Sequence, residues 1–384
     1  MSTNISRTRF VVFSAILLIL LTSLIFFVSE LSVRVFAPQQ LVLMDARLYI
    51  PDDTLGWKHG SRINMVINTG DKKVHVFTND QGYRINQPFE NSTTKAKRHR
   101  ILALGDSFLE AFQVENQETM IERLTENLSR ELGQDFEAVN TGVGGWDPNQ
   151  YYLQARKELD RERYDLGIVF VYSGNDCIET ITEIFPPRQS SRAPTFRIPL
   201  ELSASKWKKH FFKPINEWFE ERSQFYVLLK NRLETLRMRL GLSSLYVPPV
   251  IMKSNEQSTC WSVTATVLKK ISDAFKQHNT PVLFLLIPAP YQVDQAVFDS
   301  YVKGFGLSKS EIDLDQPNRK LRESCQAAGI DLLDPVEVMR KKTTASTKLY
   351  GRVDSHLNEL GHEVVANCLL PHAKEKLEFR KEHN

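Results

Sequence analysis

The chain has 384 residues, of which 42% are hydrophobic and 25% are charged. That composition is typical of a globular protein with one sizeable core, so we expect one main domain with attachments. The formal net charge of only +3 at pH 7 excludes the strongly basic surface on which nucleic-acid binding depends, and we expect no nucleic-acid partner.

An apolar segment of about 19 residues, from Phe10 to Val28, is long enough to cross a bilayer as a helix. The sequence continues in a helical pattern beyond Val28 without a small-residue cleavage site, which favours an uncleaved signal anchor over a cleavable signal peptide. Arg7 and Arg9 precede the segment, and no acidic residue does. Because positive charges stay on the cytoplasmic side, we expect residues 1–36 to form a cytoplasmic N-terminus and a single-pass transmembrane anchor. The remaining chain would then lie on the periplasmic or extracellular side.

Residues 37–100 are predicted to form a small β-rich lead-in followed by a linker. Short segments between glycines and prolines include Val74–Thr78, where the side chains alternate as in a strand. From Gln87 to Arg100 the chain is polar and becomes rich in Lys and Arg, which is typical of a solvated linker.

From Ile101 onward, short apolar runs alternate with helical patterns, as in a parallel sheet with crossover helices. The strands are predicted at Ile101–Leu104, Phe136–Asn140, Leu166–Tyr172, Val282–Ile287 and Ile330–Leu333. The helices are predicted at Glu118–Leu132, Asn149–Arg163, Ser258–His278, Asp315–Ala328 and Asn358–Lys376. This order predicts an α/β fold over residues 101–376, a flavodoxin-like three-layer α/β/α sandwich with a five-stranded parallel sheet. We expect its site at the carboxyl ends of the strands and a short tail at 377–384.

About 80 residues interrupt this alternation after the third predicted strand, far more than a usual connection, and predict an insertion at about 180–255. Its first part, Pro186–Pro199, is predicted to be loop. Its second part, Ser205–Leu240, is predicted to be helical, with aromatic residues among Lys and Arg. Three interpretations stay open: a lid over the site, a surface that lies on the membrane, or an amphipathic helical pair packed on the core.

The four cysteines, Cys177, Cys260, Cys325 and Cys368, are scattered, with no Cys-x-x-Cys pair and no cluster with histidine. This pattern argues against a structural zinc site, and we expect neither a metal nor another cofactor. On the exported side a disulfide such as Cys325–Cys368 is permitted. Buried unpaired cysteines are the alternative.

Ser107 follows Gly105 and Asp106 where the first predicted strand ends and a helix should begin. A serine at this edge lies near a helix N-terminus, whose amides favour the negative charge that develops when a serine acts as a nucleophile. An ordinary N-cap serine is the alternative for this motif taken alone.

Two later loops carry residues suited to an oxyanion hole. Asn140 and Gly145 belong to an Asn-Thr-Gly-Val-Gly-Gly segment after the second strand, and Gly174, Asn175 and Asp176 follow the third. Backbone amides of a glycine loop and an asparagine side chain are fixed donors for the oxyanion that forms when a serine attacks an ester. Ordinary turn chemistry explains each loop taken separately.

The last motif is Asp354-Ser355-His356, which precedes the last predicted helix. A histidine two residues from an aspartate on a loop can be held in one tautomer while its other nitrogen faces a serine. His362 lies further along the predicted helix, and we expect it to be structural.

In this chain order the four motifs resemble the sequence blocks of SGNH (GDSL-type) hydrolases. The resemblance implies Ser107 as nucleophile, His356 as general base and Asp354 as its orienting acid. It also implies that the oxyanion donors are the backbone amide of Ser107, Gly145 and Asn175. The supporting positions of the matched blocks are Gly105, Asp106, Asn140, Gly174 and Asp176.

Two segments before the Gly-Asp-Ser motif, Leu55–Trp57 and Thr78–Arg84, are similar to those of bacterial membrane-anchored members of the family. We see no catalytic role in these residues. The spacing of Asp354 and His356 is one residue shorter than the Asp-x-x-His of many family esterases. It resembles the spacing in polysaccharide O-acetylation proteins that have an SGNH-like domain.

The sequence therefore predicts an exported, membrane-anchored serine esterase whose substrate is an ester, such as an acylated carbohydrate or lipid. An O-acyltransferase that modifies envelope or extracellular polysaccharide would use the same residues, with a sugar hydroxyl in place of water. A catalytically silent SGNH-like glycan-binding domain is the third possibility, although every residue of the motifs is present. A metalloenzyme lacks a third ligand beside His356 and His362. The sequence does not indicate protein partners.

Overall fold

The computed structural model describes residues 7–39, 48–87, 98–182, 216, 218–219, 222–239, 249–305 and 307–383. The predictions for the start of the lead-in, for most of the linker, for the loop Pro186–Pro199 and for the first part of the helical insertion lie outside these residues. The chain divides into two compact units, Met1–Leu43 with Glu201–Ser243, and Met44–Leu200 with Ser244–Asn384.

The strands are β1 (Tyr49–Asp52), β2 (Gly56–His59), β3 (Asn64–Asn68), β4 (Lys73–Thr78), β5 (Arg84–Ile85), β6 (His99–Leu104), β7 (Phe136–Asn140), β8 (Leu166–Tyr172), β9 (Val282–Ile287) and β10 (Leu332–Leu333). The helices are α1 (Arg7–Phe36), α2 (Ser107–Glu110), α3 (Met120–Leu132), α4 (Pro148–Arg161), α5 (Asp176–Thr182), α6 (Gln224–Arg239), α7 (Cys260–Gln277), α8 (Pro290–Val293), α9 (Gln295–Phe305), α10 (Gln316–Ala327), α11 (Val336–Lys342) and α12 (Glu359–His383).

The larger unit is built on a five-stranded sheet in the order β10-β9-β8-β6-β7, and every neighbouring pair in it is parallel. In chain order this is the 2-1-3-4-5 arrangement of flavodoxin-like folds. The predicted fold is therefore confirmed. The bounds of β7, β8 and β9 coincide with the predicted ones. For β8 and β9 the reason is that strands covered on both faces are continuous apolar runs, which are visible in the sequence.

Helices cover both faces of the sheet. On one face Ile101, Ile168 and Leu285 pack in one cluster with side chains of α3 and α12, such as Leu124 and Leu369. On the other face α7 packs against α4, α5 and α10. The β8 residue Gly167 faces α7, because a Cβ there would lie 2.3 Å from the Phe275 ring. These contacts give the three predicted layers.

Most predicted helix ends differ from the observed ones by one or two residues, because capping side chains decide where a helix begins. Thr119 caps α3, so Glu118 lies in a preceding 3₁₀ turn. Asp147 caps α4, with Pro148 in the first position. The last helix, α12, runs to His383 with Pro371 inside it, beyond its predicted end.

The lead-in forms two small antiparallel sheets within the larger unit. β1 and β2 form a hairpin in which Tyr49 is paired with His59 and Pro51 with Trp57. β4 pairs with both β3 and β5 in a second sheet.

The smaller unit contains α1 and α6. The stretch Arg9–Phe36 of α1 is long and apolar enough to cross a membrane. Its Glu30 carboxylate accepts hydrogen bonds from the backbone N–H groups of Gln224 and Phe225, at 3.0 and 2.9 Å, at the start of α6. A carboxylate at a helix N-terminus satisfies amides that have no partner within the helix.

Aromatic packing adds to this contact, since the Phe26 ring meets those of Phe219 and Phe225 edge-on, with centroids 6.2 and 5.6 Å apart. The described helix of the insertion thus packs on α1. The contact depends on residues almost 200 positions apart, such as Glu30 and Phe225 with a separation of 195, and sequence periodicity carries no information about it.

One disulfide joins Cys177 and Cys260, with a Cα–Cα distance of 5.2 Å across 83 residues. It closes the ends of the insertion, from the start of α5 to the start of α7. Cys325 and Cys368 are free thiols, so the pairing Cys325–Cys368 is wrong. Cys325 lies on α10 and Cys368 on α12, and these two helices cover opposite faces of the sheet.

Candidate active site

Ser107 is the first residue of α2, and Gly105 and Asp106 join it to the carboxyl end of β6. The Asp106 carboxylate caps this short helix by accepting the Phe108 N–H at 2.9 Å. Asp106 is only 3% exposed, and burial raises the pKa of its carboxyl to about 7. Gly105 allows α2 to turn back closely on the strand, because a Cβ there would lie 2.9 Å from the Leu109 Cβ and 3.2 Å from the Phe170 Cβ.

His356 lies between Ser107 and Asp354. Its Nε2 is 2.7 Å from the Ser107 Oγ, and its Nδ1 is 2.5 Å from the Asp354 Oδ1. The other carboxylate oxygen of Asp354 accepts a hydrogen bond from Gln113 Nε2 at 2.9 Å. Only one residue separates Asp354 from His356, where the Asp-x-x-His motif has two. The loop still brings the Asp354 carboxylate to the His356 ring.

Neighbouring charges shift the pKa values of both His356 and Asp354. Burial alone would lower the pKa of His356, but the Asp354 carboxylate beside it, with Asp106 and Glu110 further off, raises it above the usual value. Burial alone would raise the pKa of Asp354, but His356 and the Gln113 amide lower it. Asp354 is therefore an anion at neutral pH, and its charge favours the protonated form of His356 over the neutral form.

The Asp354 loop is held by a carboxylate from the lead-in. Asp71 accepts the backbone N–H groups of Arg352, Val353 and Asp354, with its nearest oxygen 2.9 Å from both Val353 N and Asp354 N. Neither Asp71 nor Gln113 was identified from the sequence, because each lies outside the motifs and both meet Asp354 across more than 240 residues.

The glycine loop after β7 packs against α2. Asn140 Nδ2 donates to the Leu109 carbonyl at 2.9 Å, and its Oδ1 accepts the Gly142 N–H at 3.0 Å. A Cβ at Gly142 would lie 2.6 Å from the Glu110 N, so only glycine permits this approach. Gly145 has a φ of +77°, a left-handed backbone that glycine adopts without strain.

The loop after β8 leads into α5. Asn175 accepts the backbone N–H groups of Ile178 and Glu179 on its carbonyl oxygen, and among the described residues its buried side-chain Oδ1 has no hydrogen-bond partner. Gly174 is required because a Cβ would lie 2.5 Å from the Tyr172 ring. Since β6, β7 and β8 are neighbours, this loop and the glycine loop meet α2 at one edge of the sheet.

Asp176 is fully buried and accepts hydrogen bonds from Tyr151 Oη at 3.1 Å and from the Tyr172 N–H at 2.9 Å. Burial, and then the nearby charge of Asp106, raise the pKa of its carboxyl. Its supporting role in the site stays a prediction.

His362 has a different setting from His356. Its Nδ1 accepts the Met120 N–H, 3.2 Å away, at the start of α3. Burial lowers its pKa to about 3, so the ring is neutral. This is the structural histidine that the sequence predicts.

No protein-family model and no curated protein matches the chain. Among solved structures it is similar to an acetyl xylan esterase, with 14% identity and a TM-score of 0.39 over 71% of this chain and 98% of that one. A member of the lipolytic protein G-D-S-L family from Veillonella parvula has 10% identity and a TM-score of 0.37, over 71% of this chain and 97% of that one. A mutant acetylxylan esterase from Geobacillus stearothermophilus has 8% identity and a TM-score of 0.38, over 73% and 94% of the two chains.

These neighbours are esterases and a lipolytic protein. With identities and TM-scores this low, the fold assignment depends on the strand order of this chain. Its chemistry depends on the contacts of Ser107, His356 and Asp354.

Proposed function

We propose that this protein is a serine esterase in which Ser107, His356 and Asp354 act together. The observation that carries the proposal is the unbroken line of contacts from Ser107 Oγ to His356 Nε2 and from His356 Nδ1 to Asp354 Oδ1, at 2.7 and 2.5 Å. A serine hydroxyl is a weak nucleophile unless a positioned base accepts its proton.

In the proposed reaction His356 Nε2 takes the Ser107 proton as Oγ attacks the ester carbonyl. The Asp354 carboxylate holds the ring tautomer and stabilises the imidazolium that forms. The oxyanion is received by the backbone N–H groups of Ser107 and Gly145 and by the Asn175 side chain. The imidazolium then protonates the leaving alcohol, and water releases the acyl group by the same steps.

The test uses the full chain in detergent. A fluorophosphonate should label the wild type, and p-nitrophenyl acetate should be turned over. Ser107→Ala and His356→Ala should lose both activities, whereas the exposed control residues Ser262 and His75 should tolerate replacement by alanine without loss. Labelling that survives in Ser107→Ala would refute the proposal. A folded wild type that is neither labelled nor active would instead support a silent glycan-binding domain.

A second candidate function is O-acyl transfer to a sugar hydroxyl of envelope or extracellular polysaccharide. The short Asp-x-His spacing favours it, because that spacing resembles the one in polysaccharide O-acetylation proteins. The acyl-enzyme on Ser107 would be the same, and only the acceptor would differ. Release of p-nitrophenol that rises with added oligosaccharide, with acylated sugar as product, would favour transfer over hydrolysis.

We further propose that α1 anchors the enzyme in a membrane and that the larger unit lies on the exported side. α1 supports this by its length and its largely exposed apolar surface. In α6 the described side chains of Leu229, Leu233 and Leu236 are also 44–51% exposed. Such a surface is costly in water and stable in contact with acyl chains.

A further inference from the structure

The peptide unit between Gly144 and Gly145 carries one of the proposed oxyanion donors, the Gly145 N–H. The carbonyl at the other side of that unit, Gly144 O, accepts a hydrogen bond from the indole Nε1 of Trp57 at 2.9 Å. In a trans peptide the carbonyl and the N–H point in opposite directions. A group that fixes the carbonyl therefore also fixes the direction of the Gly145 N–H.

The preceding peptide unit is fixed as well. The Gly144 N–H donates to the Glu110 Oε1 at 2.8 Å, and the same oxygen accepts hydrogen bonds from Tyr49 Oη and His59 Nε2, each at 2.6 Å. Tyr49 and His59 are register partners in the β1–β2 hairpin, and Glu110 is only 4% exposed. The hairpin therefore holds both polar groups of Gly144, one directly and one through Glu110.

Side-chain packing cannot provide this constraint at Gly144 and Gly145, because neither residue has a side chain. Gly145 also has a positive φ, in a region where glycine exchanges readily among conformations. The Trp146 N–H closes a turn around the two glycines by donating to the Val143 carbonyl at 3.2 Å. That bond does not fix the plane of the peptide unit between them, because turns of types I and II differ in this plane alone. The hydrogen bonds of Gly144 fix the plane and with it the donor. Trp57 is 6% exposed, and its bond is protected from competing water.

We propose that Trp57 is a positioning residue, which aims the Gly145 N–H at the oxyanion through the Gly144 carbonyl. This inference depends on the proposed esterase function. It assigns a role to the Leu55–Trp57 segment, for which the sequence alone suggested none. A pre-aimed donor stabilises the transition state without reorganising during the reaction, so its loss lowers kcat more than it raises KM.

The structure provides a matched control in Trp146, which is 2% exposed. Its indole Nε1 donates to the Trp57 carbonyl at 3.0 Å, so Trp57 and Trp146 exchange one hydrogen bond each between the same two segments. Only the Trp57 indole reaches the carbonyl of the peptide that carries the oxyanion donor.

The experiment compares Trp57→Phe and Trp146→Phe in the full-length protein in detergent, with p-nitrophenyl acetate as substrate. Active sites are counted by end-point fluorophosphonate labelling, so that misfolded molecules do not enter kcat. Losing an oxyanion donor outright costs about 10²–10³ in kcat; misaiming one should cost about 10-fold or more. We expect Trp57→Phe to show that fall with KM changed less than about 3-fold, and Trp146→Phe to keep kcat within about 3-fold.

The pH profile of kcat/KM should keep its acid limb in Trp57→Phe, because the His356–Asp354 pair is untouched. If Trp57→Phe does not fold, 3-benzothienylalanine at position 57 gives the same comparison, since sulfur replaces the N–H in an isosteric ring. An unchanged kcat in the Trp57 variant would overturn the inference and leave the esterase intact. An equal fall in both variants would also overturn it, since hairpin docking in general would then be responsible. A wild type without Ser107-dependent turnover would remove the esterase proposal and this one together.

Discussion

Replacement of the buried Arg84 by methionine should destabilise the larger unit strongly. Arg84 is 4% exposed, and its guanidinium donates to three carbonyls of residues 110–114, at the end of α2 and just after it. These are the carbonyls of Glu110 (2.8 Å), Ala111 and Val114 (2.6 Å). Burial lowers the pKa of Arg84 to about 10, so the group stays charged at neutral pH. The segment includes Ala111 with a φ of +55°, a strained conformation that needs support from its surroundings.

Hydrogen bonds to a charged group contribute roughly 1.5–3 kcal/mol each, so three of them sum to several kcal/mol. Removing the guanidinium also relieves the cost of keeping a charge out of water, which offsets part of that sum. We expect Arg84→Met to lower the free energy of unfolding by about 3–5 kcal/mol. Since Gln113, the partner of Asp354, lies in the same segment, kcat should fall as well.

The assay is thermal and denaturant unfolding of the full chain in detergent, beside Arg322→Met as control. Arg322 is 56% exposed and 3.7 Å from its carboxylate partner Asp334, so its replacement should change stability by no more than about 0.5 kcal/mol. A loss below about 1 kcal/mol in Arg84→Met would refute the reasoning, because the three carbonyl contacts would then contribute little.

Three further predictions concern the site, the disulfide and the topology. His356 must be neutral to act as base, and Asp354 raises its pKa, so kcat/KM should rise with pH through that pKa. Asp354→Asn should lower kcat by several orders of magnitude and move this acid limb of the pH profile to lower pH. An acid limb that does not move would remove Asp354 from the mechanism. Cys177→Ser should lower the free energy of unfolding by about 2–5 kcal/mol, since the Cys177–Cys260 disulfide closes an 83-residue separation. A reductant should destabilise the wild type but not the variant. Equal melting temperatures of the wild type and the variant would contradict the disulfide. A reporter fused after Asn384 should behave as exported, and cytoplasmic activity of that fusion would reverse the proposed topology.

The arrangement of the sheet was predictable because its signals are local. Strands buried on both faces must be apolar throughout, so Leu166–Tyr172 and Val282–Ile287 stand out in the sequence with their observed bounds. The parallel order then follows from the alternation with helices. Chain order also placed the Ser107, Asn140 and Asn175 motifs after successive strands, and parallel strands bring such loops to one edge.

The supporting contacts of the site were not predictable, because they join residues far apart in the chain. Trp57 meets Gly144 across 87 residues, and Asp71 meets Asp354 across 283. Each pair depends on how the β-rich lead-in docks on the sheet domain. A tryptophan or an aspartate in an irregular segment has no periodicity that would indicate its partner.

The same distinction applies to the cysteines and to the insertion. The sequence permitted a Cys325–Cys368 bond, but the sheet separates their helices and brings Cys177 to Cys260 instead. The helical character of the insertion was visible in the sequence. Its packing on α1 depends instead on Glu30 of α1, which accepts backbone hydrogen bonds at the start of α6. By itself the sequence determined the elements and the chemical groups at the sheet edge, because side-chain periodicity and motif order are properties of short segments. The tertiary structure alone decided which distant groups hold them in place, because hydrogen bonds and packing depend on distance in space.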